Sequence, residues 1–139
     1  MIWIWLLQFG SCAAMTGAIW LVQLLIYPSF ALVPVERFQS FQKHHTRQIT
    51  WVVAPLMLVE LVSGATLLYF EPNWVVELGF AGIIVLWLWT FFVSVPIHED
   101  LEKRGYDLVV IKKLVWSNWP RTLIWSMRLM LLYGWFVMK

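Results

Sequence analysis

The sequence predicts an all-α fold, a polytopic membrane protein built as an antiparallel four-helix transmembrane bundle with short interfacial helices. Three observations lead there. Of the 139 residues, 61% are hydrophobic and 13% charged, against roughly 25% charged in soluble domains, and mean hydropathy is +0.74. Four apolar runs, about 2–27, 49–70, 78–95 and 120–138, are each long enough for a helix to cross a bilayer. Most charged residues lie in the connections between those runs. The chain is therefore one membrane domain, 1–139, with no room for a separate soluble one.

The first run contains no charged residue and ends at Pro28. Trp20, Gln23 and Tyr27 fall at i, i+3 and i+7, one stripe near the end of the span. Gly10, Ala13, Ala14 and Gly17 offer small surfaces for helix approach. The FGSCAA stretch has the look of a lipoprotein cleavage site, but no Lys or Arg precedes it and the apolar run continues past it, so it is read as part of a span. Cys12 is the only cysteine, which leaves no internal disulfide to form. After Pro34, Phe38, Phe41, His45 and Gln48 share one helical face, while the adjacent His44 projects about 100° away.

The second run carries Pro55, which predicts a kink, and Glu60 near its middle. EPNWVVE, from Glu71, predicts a tight reversal. On the third run Thr90, Ser94 and His98 lie at i, i+4 and i+8, making one face more polar toward the His98-Glu99-Asp100 end. HEDLEKRG then predicts a short helix closed by Gly105, and DLVVIKKLVW an interfacial one. Asn118-Trp119-Pro120 reads as the start of the last span, where Asn118, Arg121, Trp125 and Arg128 occupy a single stripe. No internal repeat or heptad pattern shows in the sequence.

Charge sets the expected orientation. Arg37, Lys43 and Arg47 lie in the first connection, and Lys103, Arg104, Lys112, Lys113 and Arg121 in or beside the third. Only Lys139 lies on the other side. The positive-inside rule then puts both long connections in the cytoplasm and both termini outside, in a bacterial inner membrane. The lipid bilayer is the first expected partner, and eleven tryptophans suit interfacial anchoring. A net charge of +2, spread over several segments, argues against nucleic acid.

Two groups of residues have chemical potential. A carboxylate and a guanidinium in mid-membrane mark a site unless they pair, and Glu60 and Arg128 lie at similar depth on the second and fourth spans. Together they either orient the bundle as a salt bridge or line a polar pocket with Gln23, Thr90 and Arg121. Glu60, Arg128 and His98 are the candidates for catalysis. The second group, His44, His45, His98 and Glu99, has ligand types that suit zinc, iron or copper. Its irregular spacing leads us to expect no tightly bound metal, and no particular cofactor is indicated. His45 and Glu60 are ~22 Å apart along one helix, too far to share an ion.

GAIWLVQLLIYPSF, VPIHEDLEKRGYD and NWPRTLIWSMRLML together resemble the small four-span membrane proteins grouped with anthrone oxygenase. The resemblance implies a four-helix membrane bundle, an oxygenase acting on aromatic polyketides in some relatives, and attention to Pro96, His98, Trp119, Arg121 and Arg128. Three functions are therefore carried forward. The chain binds or oxidises a hydrophobic small molecule at a polar intramembrane site, or is a metal- or haem-binding redox protein using cytoplasmic-side histidines, or is a noncatalytic subunit that packs against a membrane-protein partner or a second copy.

Overall fold

A computed structural model describes residues 1–138, which form helices and short connections with no strand among them. Lys139, the basic residue counted at the carboxyl end, lies outside the described residues. Helix α1 (Ile2–Leu21) runs without a break into a π turn, Val22–Ile26, and a short α2, Tyr27–Ser29. Helix α3 (Phe38–Phe70) is 33 residues long. Asn73 then starts α4 (Trp74–Trp89): its side chain accepts from the amides of Val75 and Val76 at 3.1 and 3.2 Å, satisfying donors that the first helical turn leaves unpaired.

A second π turn, Thr90–Ser94, leads into α5 (Val95–Arg104). Gly105 ends α5 at φ +83°, a conformation that favours glycine. Asp107 accepts from the amides of Val109 and Val110 and starts α6, the 31-residue helix Leu108–Met138.

Of the two expected short helices, HEDLEKRG falls within α5, which Gly105 closes as expected, whereas DLVVIKKLVW is not separate and forms the first turns of α6. Phe38 to Gln48 forms the first turns of α3, and Val95–Arg104 continues the α4 rod through its π turn. Pro120 lies inside α6 instead of starting a helix. It removes one backbone hydrogen bond, but Ile111 and Leu114 before it and Thr122 and Trp125 after it are buried, so packing holds the helix on both sides.

Four rods result. The α1 rod packs on α3 and α6, and α4 packs on the same two, so α3 and α6 face each other across a diagonal. The rods Ile2–Leu32, Val35–Phe70 and Trp74–Arg104 are long and apolar enough to cross a membrane. Helix α6 matches them in length but carries Lys112, Lys113, Arg121 and Arg128.

The interior is polar in places and the outside is not. Gln8, Gln23, Gln42, Glu60, Asn118, Arg121 and Arg128 are all buried, while Leu24, Leu25, Val62, Leu88, Phe92 and Met130 are exposed. Water-soluble domains sort these types the other way round. An apolar exterior is what lipid requires.

Element order also shows a repeat that the residues conceal. The π turns begin at Val22 and Thr90, each followed by a proline, Pro28 and Pro96, and then by a long helix, α3 or α6. The turn starts and the prolines are each offset by 68 positions, as are Glu60 and Arg128.

Candidate functional site

Glu60 and Arg128 meet across the α3–α6 diagonal. Arg128 Nη1 donates to Glu60 Oε1 at 2.9 Å, and Trp125 Nε1 donates to Glu60 Oε2 at 3.0 Å. Arg128 Nε donates to the Gly79 carbonyl at 3.1 Å. Gly82 leaves space for this arrangement, since a Cβ there would lie 2.8 Å from Arg128 Cδ. Ion pairing and hydrogen bonds thus occupy both carboxylate oxygens and two of the guanidinium nitrogens, offsetting much of the desolvation cost. The pair does not line the large cavity described next. Its geometry is that of a brace between helices.

A cavity of about 400 Å³ opens among all four rods. Its apolar wall includes Ile19, Val22, Ile49, Val53, Met57 and Phe91. Its polar wall includes Tyr27, Thr90, Ser94, His98 and Arg121. Glu99 and Glu102 line its outer end, where Lys43 and Lys103 adjoin them in a shallow, mixed-charge depression. Both π turns contribute to the wall. A π turn holds more residues per turn than an α-helix, and such bulges occur frequently at functional sites.

The polar wall has a defined protonation pattern. Gln42 Nε2 lies 2.8 Å from His98 Nδ1, 3.4 Å from the His98 carbonyl and 3.3 Å from Thr46 Oγ1. The Thr46 hydroxyl donates to the Gln42 carbonyl, so the group facing these acceptors is the amide NH2. His98 Nδ1 is then an acceptor, which places the imidazole proton on Nε2, and Nε2 donates to the Tyr27 hydroxyl oxygen at 2.9 Å. The Tyr27 proton finds no acceptor among the described residues and is left for the cavity. His45 stacks on His98 with ring centroids 5.9 Å apart, and its buried Nε2 has no partner.

Arg121 lies beside Tyr27 and is 5% exposed. Its Nη1 donates to Asn118 Oδ1 at 3.2 Å, and its guanidinium carbon stands 5.2 Å from the Trp125 ring centre. No carboxylate among the described residues pairs with it, and its buried Nε has no partner. Trp87 Nε1 and Thr90 Oγ1, on the same cavity wall, are also buried without partners.

Of the residues singled out from sequence, Thr90, His98, Arg121 and Glu99 line the cavity. Gln23 instead ties α1 to α6: its amide donates to the Val115 carbonyl, and its oxygen accepts from Asn118 and Thr122. His44 is exposed. The four residues considered as metal ligands are not gathered into one set, and no three His, Cys, Asp or Glu side chains among the described residues stand close enough to hold one ion. Sequence reasoning missed Gln42 and Trp87, and grouped Tyr27 with Trp20 and Gln23 on one stripe near the end of the first span. A glutamine buried next to an aromatic face was the available signal for the first. Comparison with protein-family models, curated proteins and solved structures returns no match to this chain.

Proposed function

We propose that the chain is a four-span protein of a bacterial inner membrane, both termini outside, that binds a hydrophobic small molecule in the cavity between its helices. The observation that carries this reading is the cavity itself. About 400 Å³ lies within the range of small-molecule sites, which combine apolar walls with a few placed polar groups. The fourth span is supported by how α6 distributes its side chains. Arg121 and Arg128 face inward, while Leu123, Met127, Met130, Tyr133 and Val137 are exposed on an apolar outer face. The resemblance to the anthrone oxygenase group adds oxidation of the bound molecule as the reaction to assay first.

Photolabelling with a diazirine-bearing dodecanol tests the cavity. Labels are expected on Val53, Met57 and Thr90, and Val53→Trp, which fills the space, should remove them while labelling of the outward-facing Val62 persists. Labels confined to outward-facing residues would overturn the reading.

A further inference from the structure

Arg121 is the one strongly buried cation in the described interior for which no carboxylate is provided. Arg128 has Glu60, whereas Arg121 has only neutral partners, the oxygen of Asn118, the neighbouring Tyr27 hydroxyl and the face of Trp125. Guanidinium remains charged in proteins, and a charge taken from water without a counter-ion is costly. Cation–π contact and neutral hydrogen-bond partners offset only part of that cost. The other unpartnered groups among the cavity-lining residues can donate as well, while Gln42 Oε1 and His45 Nε2, also buried without partners, belong to residues outside the lining. Arg121 Nε and Trp87 Nε1 can only donate, Thr90 has a free hydroxyl, and the tautomer fixed by Gln42 leaves the Tyr27 proton directed away from His98.

Resting on the cavity reading above, we propose that the cavity takes an amphiphile whose head group is an oxyanion, seated against Arg121 and the Tyr27 hydroxyl. The apolar body lies along Ile49, Val53, Met57 and Phe91. Guanidinium and phenol together suit oxygen acceptors in one plane, the arrangement by which arginine recognises carboxylates and phosphates. Thr90 and Trp87 supply further donors along the same wall. His98 acts as a positioning residue, since its Nε2–H occupies a lone pair of the Tyr27 oxygen and directs the phenolic proton elsewhere. Glu99 and Glu102 at the outer end repel an anion arriving from water. The exposed lining residues Thr50, Phe91 and Val95, on α3 and the α4–α5 rod, mark an entrance from lipid.

Three diazirine probes, used on the detergent-reconstituted full chain at about pH 8, test the inference: dodecanoate, dodecanol and a phosphatidylglycerol, each normalised to its labelling of Val62. Dodecanoate should label Val53 and Met57 about tenfold or more above dodecanol, the effect of one hydrogen bond to a charged group. Arg121→Gln should erase that preference while leaving dodecanol labelling in place, Arg121→Lys should retain part of it, and Tyr27→Phe should reduce it. Equal labelling by acid and alcohol in the unmodified protein would overturn the anion inference and leave the cavity reading standing. No cavity label from any probe would remove both. Phosphatidylglycerol labelling in place of dodecanoate, with the same dependence on Arg121, would support the oxyanion site and identify a lipid as its source. The comparison of probes on the unmodified chain decides the matter even if an Arg121 variant fails to fold.

Discussion

Glu60 serves two donors at once, Arg128 and Trp125, so its removal strands more than one group. Glu60→Gln should cost about 3 to 5 kcal/mol, as measured where one partner of a buried pair is lost. Arg128→Met should cost less, because a stranded carboxylate can take up a proton whereas a guanidinium cannot release one. The double variant should lose less than the sum of the two, since each single change includes the penalty of the partner left behind. Thermal unfolding in detergent checks this, and additive losses would show that the contact contributes nothing. Gly82→Ala is a second test of the same brace. A methyl 2.8 Å from Arg128 Cδ must displace the arginine stem, at about 1 to 3 kcal/mol, and the same melts measure it. The pairing was legible in the sequence because few charges interrupt apolar runs and each demands compensation. Arg121 was legible as a polar residue on the Arg128 stripe. That it lacks a carboxylate was not, because Glu99, one connection away in sequence, could have turned inward instead of lying at the cavity's outer end.

Two π turns shape the cavity, and each is followed by a proline, Pro28 or Pro96. A proline inside a helix has no N–H to donate and its ring crowds the carbonyl four residues earlier. The wider turn before Pro28 and before Pro96 absorbs that crowding without ending the rod. Such a bulge amounts to one residue more than the helix needs. Deleting Phe92, an exposed residue within the second π turn, should therefore restore an α-helix while α4 and α5 keep the faces they now bury. The variant should retain its helical circular dichroism and lose cavity labelling, because Thr90 and Ser94 no longer form the same wall. Loss of the whole fold would mean that the bulge is needed for packing itself. Helix existence was clear from the apolar runs, but the π turns were not, since nothing in Thr90-Phe91-Phe92-Val93-Ser94 differs from an α-helical sequence. The i, i+4, i+8 spacing of Thr90, Ser94 and His98 pointed to a shared face, and all three line the cavity. DLVVIKKLVW was read as separate from the last span because Asn118-Trp119-Pro120 suggested a helix start that burial on both sides of Pro120 overrides.

The molecule is two helical hairpins of like design, joined through Glu71, Pro72 and Asn73, with the 68-residue offset bringing Glu60 of one half onto Arg128 of the other. This repeat was hidden from the sequence because equivalent positions carry unlike side chains: the offset relates a carboxylate to a guanidinium, Tyr27 to Val95 and Val53 to Arg121. Only the π bulges and the prolines that follow them keep the correspondence. Opposite charges at equivalent positions also make the halves complementary. Each hairpin alone retains its internal contacts, α1 with α3 or α4 with α6, but lacks the α1–α6 and α3–α4 surfaces and carries Glu60 or Arg128 without its partner. Two copies of one half would bring like charges together, which disfavours self-pairing. The chain cut within positions 71–73 and produced as two co-expressed fragments should therefore reassemble, copurify in mild detergent and bind the photoprobes, whereas either fragment alone should be degraded. Exchanging the pair, Glu60→Arg together with Arg128→Glu, should preserve copurification better than either exchange alone. If the unmodified fragments accumulate independently without associating, the contacts between halves do not hold the molecule together. Association that persists equally in Glu60→Arg alone would place the holding energy in the apolar surfaces and reduce the ion pair to a minor share.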